Sequence, residues 1–159
     1  MRALGNFLWH IPFLGFVSAL IAFFVGAFFY VTFIGLPIAK GLFELGNFLL
    51  APFTKSMISE KHELLKNQKI QSSIHDFFKV IAFILYLPFG IANTILIIFR
   101  IPALFLSIIG IPVALVLIKS LPTIFNPIGK ICVPKAVADE IKRRSDQKIA
   151  DQYLKHTEN

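Results

Sequence analysis

The composition of this chain excludes an ordinary soluble domain. Its 159 residues are 56% apolar and 16% charged, whereas globular domains are roughly 45–50% apolar and 25% charged. A compact soluble fold of this length has too little interior to bury so much apolar surface. The net charge of +7 comes from basic residues that flank apolar runs. It therefore indicates orientation in a membrane and not binding to nucleic acid.

Two long apolar runs account for most of this composition. Residues 7–39 contain no Asp, Glu, Lys or Arg, and Arg100 is the only such residue in 80–118. A membrane-spanning helix needs about 20 apolar residues, and the apolar part of a cleaved signal peptide has only ~7–15. The runs predict an all-α integral membrane protein that crosses the membrane more than once.

The two runs belong to an internal repeat. Residues 33–58 align without gaps to 108–133, and seven positions are identical; in the first copy they are Ile34, Gly35, Pro37, Ala39, Leu42, Pro52 and Lys55. Each residue of the second copy follows its counterpart in the first copy by the same number of residues, as Gly110 follows Gly35. We call this number the repeat offset.

The glycines and prolines of the repeat have a structural meaning. Glycine allows membrane helices to approach closely, and proline interrupts helical hydrogen bonding. We therefore predict structural bends at membrane depth. The bend residues are Ile34, Gly35, Pro37 and Pro52 in the first copy, and Ile109, Gly110, Pro112 and Pro127 in the second.

The repeat divides the chain into four predicted parts. These are an inner-membrane repeat at 4–58, a polar cytoplasmic linker at 59–78, a second repeat at 79–133 and an amphipathic cytoplasmic helix at 134–159. A helix as long as the first apolar run would extend about 50 Å, against a hydrocarbon core of ~30 Å. Each repeat is therefore either a helical hairpin or a span plus a re-entrant or interfacial helix. A rival interpretation gives each repeat one span with Arg100 near its middle, so two to four crossings stay open.

The motifs of the repeat resemble those of a known family. The tandem Ile-Gly-[Leu/Ile]-Pro motifs, the opening Asn-Phe-Leu-Trp at 6–9 and the closing Pro-Ile-Gly-Lys at 127–130 are similar to the YccF family of small bacterial inner-membrane proteins. Thr54, where the family has glycine, and Leu36, where isoleucine is more usual, depart from its pattern. The resemblance implies two copies of an inner membrane component domain in a multi-pass protein, and it transfers no catalytic residue.

A few polar residues in the apolar segments are candidate sites. Arg100 and Asn93 form a possible polar membrane site, because an ionisable group in a membrane segment suggests a function and needs a partner. The alternative for Arg100 is a hairpin-tip arginine that reaches the headgroups. Trp9 and His10, near the start of the first run, are expected to anchor the chain at the membrane interface.

The sequence offers no set of residues for catalysis. It contains no His-Glu-x-x-His motif, no paired carboxylates and no Cys/His cluster, so we expect a non-enzymatic protein without a metal or cofactor. Tandem repeats with Gly/Pro-broken apolar segments are typical of transporters. The favoured hypothesis is an oligomeric transport or channel component. The alternative is a structural or accessory subunit that packs against a larger membrane transporter or against anionic lipid.

Overall fold

The computed structural model describes residues 2–11, 14–60 and 73–157, and most of these are helical. The described elements follow in the order α1 (Arg2–His10), α2 (Gly15–Val31), α3 (Leu36–Leu50), β1 (Lys55–Ser59), α4 (Ser73–Phe105), α5 (Ile111–Phe125), β2 (Lys130–Pro134) and α6 (Lys135–Thr157). Two 3₁₀ turns precede α3 and α5, at Phe33–Gly35 and Ile108–Gly110. We call these the apolar turns.

The helices form two hairpins. Helix α2 packs on α3, α4 packs on α5, and an apolar turn joins the two helices of each pair. Helices α3 and α5 have 15 residues each. With its turn, each would extend about 28 Å, close to the ~30 Å of a hydrocarbon core. Two segments, Phe33–Leu50 and Phe77–Phe105, are long and apolar enough to cross a membrane.

Large apolar side chains cover the outside of α2 and α4. The exposed residues on these two helices include Phe16, Leu20, Ile21, Phe24, Phe28, Ile84, Leu85, Ile95, Leu96 and Phe99. In water a continuous surface of this kind would be unfavourable, whereas in lipid it costs little. These faces are therefore suited to contact acyl chains.

The core lies between the two hairpins, around α3 and α5. Its buried residues are Trp9, Ala19, Ala22, Ile38, Leu42, Leu45, Phe48, Leu49, Ala82, Tyr86, Val113 and Val116. Ala19 and Ala22 are small, which lets the backbones of α2 and α3 approach closely. Gly41 on α3 lies against the backbone carbonyl of Pro127, and a Cβ at this position would overlap that oxygen. The two hairpins thus touch backbone to backbone.

Strands β1 and β2 form a two-stranded antiparallel sheet, which we call the ribbon. Lys55 lies opposite Pro134, Met57 opposite Cys132, and Ser59 opposite Lys130. The all-α prediction was wrong in this respect. Both strands have only five residues, and in the sequence they resemble the basic flanks of membrane segments, so no alternation of apolar and polar residues reveals them.

Corresponding elements of the two hairpins begin and end one repeat offset apart. This holds for the apolar turns, for α3 with α5, and for β1 with β2. Within the ribbon, Met57 lies opposite Cys132, its own counterpart in the repeat. We call α2, α3, β1 and the turn between the helices the first half, and α4, α5, β2 and their turn the second half.

Candidate functional site

The apolar turns depend on their glycines. A Cβ on Gly35 would overlap the carbonyl oxygen of Phe29, and a Cβ on Gly110 would overlap that of Leu104. The same two carbonyls accept backbone hydrogen bonds of 3.2 Å, from Thr32 and from Ser107. Phe29 and Leu104 are themselves counterparts in the repeat. Each turn therefore closes in the same way, around a carbonyl that leaves no room for a side chain.

The remaining residues of the Ile-Gly-[Leu/Ile]-Pro motifs lie in the apolar turns or in the first turn of the helix that follows. Pro37 and Pro112 lie in the first turns of α3 and α5, where a missing N–H costs nothing. Ile34 is 41% exposed within its turn. Ile109 occupies the corresponding place in the second turn, and its side chain lies outside the described part of the structure.

The surfaces of the turns are apolar. Val31 and Phe33 are 86% and 80% exposed, and Leu106 and Ile108, their counterparts in the second half, are 90% and 86% exposed. The sequence places no charged residue in 31–39 or 101–118. The turns are therefore suited to lie among acyl chains or against another apolar surface.

Pro52 and Pro127 lie at the opposite end of the hairpins, just after α3 and α5. Both are among the fully buried side chains. Proline cannot continue the helix, and here it also packs where the two halves meet, since the carbonyl of Pro127 lies against Gly41. These two prolines thus mark the change from the hairpins to the ribbon.

Helix α1 holds the end of α3 through three polar contacts. The Trp9 Nε1–H donates to the carbonyl of Leu49 at 2.8 Å, and His10 Nε2 lies 2.8 Å from the carbonyl of Leu50. Asn6 Oδ1 accepts from the backbone N–H of Phe53 at 3.1 Å. The last carbonyls of a helix have no partner within it, so Trp9 and His10 cap α3, whereas Asn6 binds the backbone that follows the helix. Trp9 is 3% exposed and packed by protein; the membrane anchoring of Trp9 and His10 stays a prediction.

Tyr86 holds the end of α5 in a similar way. Its hydroxyl donates to the carbonyl of Ile124 at 3.0 Å. Ile124 is the repeat counterpart of Leu49, which accepts from Trp9. The two halves therefore satisfy corresponding carbonyls with different aromatic donors.

Both residues of the predicted polar membrane site, Arg100 and Asn93, lie inside the continuous helix α4. The alternative that placed Arg100 at a hairpin tip is wrong, because α4 continues through Arg100 to Phe105 and accommodates Pro102 inside the helix. The Arg100 side chain is exposed beside Phe99. Asn93 Nδ2–H donates to the carbonyl of Phe89 at 2.9 Å, one turn back in the same helix, so this bond does not join two helices.

A carboxylate and an ammonium occupy corresponding places beside the ribbon. Glu44 Oε2 accepts from the backbone N–H of Cys132 at 2.9 Å. Lys119, the repeat counterpart of Glu44, places its Nζ 5.5 Å from the centroid of the Phe53 ring. Sequence reasoning missed both contacts. The available signal was the alignment of the repeat, which sets an acidic residue against a basic one.

Few other polar groups are buried in the described hairpins and ribbon. Burial raises the pKa of the Cys132 thiol above its ordinary value. Ser120 and Thr123 are the buried polar residues of α5, and Ser120 Oγ–H donates to the carbonyl of Leu117 at 2.9 Å. Among the described residues, no group of three or more His, Cys, Asp and Glu side chains could hold a metal ion.

Comparison with known families gives one match. Residues 4–55 match the YccF family model, described as the inner membrane component domain. The matched residues extend from α1 through α2 and α3 to the first residue of β1. Neither a curated protein nor a solved structure matches the chain. The match confirms the resemblance to this family over residues 4–55.

Proposed function

Because residues 4–55 match the YccF inner membrane component domain, the chain is a membrane protein, and we propose that it is a non-enzymatic subunit of an oligomeric transport or channel assembly. In this proposal it crosses the bacterial inner membrane more than once and carries two copies of the domain. The predicted linker and α6 lie in the cytoplasm, because the basic residues collect there. Residues 61–72 of the linker lie outside the described part of the structure.

The two-copy arrangement is supported by details that composition alone would not produce. The turns close on carbonyls that are counterparts in the repeat, at Phe29 and Leu104. The ribbon also has the pattern of a two-fold contact: Lys55 faces Pro134, and their counterparts Lys130 and Ser59 face each other. Such reciprocity is typical of an interface between two copies of one unit.

Arg100 is the observation that carries the proposal of an assembly. It is exposed on α4 among large apolar side chains such as Phe99 and Leu96. From Tyr86 to Arg100 the helix rises about 21 Å. Side chains of a helix point toward its N-terminus, so Arg100 is directed away from the nearby turn and back along α4. An arginine at the bilayer centre costs roughly 2.5–3.5 kcal/mol on insertion scales. Arg100 lies between the centre and the turn and therefore bears part of this cost, which a polar group from another subunit would offset.

Native mass spectrometry of the protein in lipid nanodiscs tests the proposal. We expect a defined oligomer for the wild type and a shift toward monomer for Arg100→Gln. The matched control is Arg143→Gln, an exposed arginine on α6 that should leave the oligomer intact. A wild-type protein that is monomeric at every concentration contradicts the proposal.

The accessory-subunit alternative is favoured by the shape of α6. Ala138 and Ile141 are buried, both 8% exposed, whereas Ile149 further along the helix is 48% exposed. The beginning of α6 thus packs on the protein, and its later part presents an apolar side chain within a mixed-charge surface. Such a surface fits a partner membrane protein. Co-purification of one stoichiometric membrane partner with a monomeric chain, lost on Ile149→Asp, would favour this alternative.

A further inference from the structure

The two edges of the ribbon differ in how their backbone groups are satisfied. At the β2 edge, the N–H of Cys132 donates to the Glu44 carboxylate of α3 at 2.9 Å. At the β1 edge, the corresponding N–H belongs to Met57, which is the repeat counterpart of Cys132 and lies directly opposite it. The residue that corresponds to Glu44 at this second edge is Lys119.

The hydrogen-bond pattern of the ribbon directs the Met57 N–H outward. Lys135 N–H donates to the Thr54 carbonyl at 2.9 Å, and Glu60 N–H donates to the Gly129 carbonyl at 2.7 Å. In an antiparallel pair, hydrogen-bonded and non-hydrogen-bonded positions alternate. The pairs Thr54–Lys135 and Glu60–Gly129 are hydrogen-bonded positions, and Met57–Cys132 lies three positions from each of them. It is therefore a non-hydrogen-bonded position. Its two N–H groups therefore point to opposite edges, that of Cys132 toward Glu44 and that of Met57 toward the β1 edge.

The side chain that corresponds to Glu44 at the β1 edge is a hydrogen-bond donor, Lys119. Helix α5 packs beside β1, and Lys119 occupies the place that Glu44 has on α3. An ammonium group has three donors and no acceptor, so Lys119 cannot accept from Met57 as Glu44 accepts from Cys132. Lys119 Nζ lies over the Phe53 ring.

A second ammonium group lies nearby. Lys135 pairs through its backbone with Thr54, the residue after Phe53, and its charge acts on Lys119. Within the described residues, no hydrogen bond or ion pair to a carboxylate involves either ammonium group. Two like charges thus lie near each other beside β1, the strand whose Met57 N–H points outward, and among the described residues neither ammonium group pairs with a carboxylate.

We propose that the β1 edge of the ribbon is a phosphate-binding site formed by Met57 N–H, Lys119 and Lys135. The bound phosphate takes the position that the Glu44 carboxylate fills at the other edge. Ammonium groups and backbone N–H groups are the usual donors to phosphate oxygens. The ribbon lies at the end of the hairpins opposite the apolar turns, where α6 with its many charges begins. A phospholipid headgroup or a free phosphate has the required chemistry.

The test measures phosphate binding by the full-length chain in detergent. Native mass spectrometry detects retained phosphatidylglycerol, with phosphatidylcholine as the neutral comparison, and thermal unfolding with added inorganic phosphate detects the free anion. Lys119→Glu supplies a carboxylate at the place corresponding to Glu44, and Lys135→Gln removes the second charge. The matched control is Lys130→Glu, which changes the net charge as Lys119→Glu does, at the opposite end of the ribbon.

We expect Lys119→Glu and Lys135→Gln to weaken phosphate binding at least about ten-fold, as loss of charged hydrogen bonds does. Lys130→Glu should change binding less than about three-fold. Selective retention of phosphatidylglycerol supports a headgroup as the source of the phosphate, and stabilisation by inorganic phosphate supports a free anion.

Three outcomes would overturn the site. One is equal loss of binding in Lys119→Glu and Lys130→Glu, which would mean non-specific attraction. The second is unchanged binding in Lys119→Glu, and the third is no binding of either probe by the wild type. Should Lys119→Glu fail to fold, Lys119→Met keeps the aliphatic stem over Phe53 and removes only the charge, with the same expected loss.

Discussion

The two halves of the protein agree closely at the turn and in the second helix but differ where the first helix begins. In the second half, α4 runs for 33 residues without interruption, with Pro88 and Pro102 inside it. In the first half, α2 is short and is preceded by a separate helix, α1; Leu14 before α2 has a φ of 50°. The apolar turns and the helices that follow them are the same in both halves, because their own glycine and proline determine them. The first helix of each hairpin differs, because it depends on which side chain caps the end of the second helix.

Capping explains this difference. In the first half, the separate helix α1 brings Trp9 to the carbonyl of Leu49. In the second half, the continuous helix α4 brings Tyr86 to the corresponding carbonyl, that of Ile124. The requirement to satisfy a helix C-terminus is common to both halves. The side chains that donate to these carbonyls, and the backbone that positions those side chains, differ between the halves. Predictions that treat corresponding positions in parallel therefore test how far the two halves are equivalent.

The largest expected effect is at the contact between the halves. Gly41→Ala places a methyl group on the carbonyl of Pro127, and backbone cannot move away as a side chain can. We expect a loss of about 3 kcal/mol or more in the free energy of unfolding in detergent. Gly46→Ala on the same helix is the control, because the atoms nearest to its Cβ would belong to the side-chain ring of Phe23, which can move. Equal stability of both variants would contradict the close contact between the hairpins.

Substitutions in the apolar turns should have the next largest effect. Gly35→Ala and Gly110→Ala each drive a Cβ into a carbonyl, of Phe29 and of Leu104. We expect each to cost about 1–3 kcal/mol, and the two costs to agree within about 0.5 kcal/mol if the turns are equivalent. The measurement is thermal or denaturant unfolding of both variants in the same detergent. A loss confined to one turn would break the equivalence.

Part of this architecture could be predicted from the sequence and part could not. Gly35 and Pro37 locate the turn and the start of α3, because glycine and proline act on their own backbone. The ribbon could not be predicted, since its pairing joins Lys55 with Pro134 and neither strand has an apolar face that marks it. The contact of Glu44 with Cys132 depends on that pairing and was equally hidden.

Arg100 shows the same limit. Its charge suggested a break between two helices, because a charged residue usually ends a membrane segment. The helix instead continues to Phe105, and the break follows where Gly110 allows the chain to turn. The charge of Arg100 marked it as a candidate site, but the charge did not predict that the helix continues through this residue and ends only before the turn at Gly110.

The β2 edge of the ribbon should show an intermediate effect. Glu44→Leu removes the acceptor of the Cys132 N–H, and an unsatisfied part-buried donor costs about 1–3 kcal/mol. Glu44→Gln keeps an oxygen in place and should retain most of the stability. Unfolding in detergent compares the two variants with the wild type. A leucine variant as stable as the glutamine variant would show that water replaces the carboxylate.

Tyr86→Phe should have a smaller effect, because it removes one hydroxyl and preserves the ring. The carbonyl of Ile124 then loses its side-chain donor, at a cost of about 1 kcal/mol. Tyr30→Phe is the control, since Tyr30 is 59% exposed. If both variants unfold at the same midpoint, the bond at the end of α5 does not stabilise the fold.

The smallest effect is expected in α6, which neither half repeats. A hydrogen bond from Arg144 and the charge of Arg143 hold the pKa of the Glu140 carboxyl below its ordinary value. A depressed folded-state pKa means that the stabilisation is present above the ordinary carboxyl range and is lost as pH falls through the folded pKa. The protection of the α6 amides from exchange, relative to the intrinsic rate at each pH, should therefore fall in the wild type as the carboxyl is protonated. In Glu140→Gln the carboxyl is gone, so this part of the pH dependence should disappear, while protection near neutral pH is slightly lower than in the wild type. An identical acid profile in both proteins would mean that the pair is too exposed to stabilise the helix, as is common for surface ion pairs.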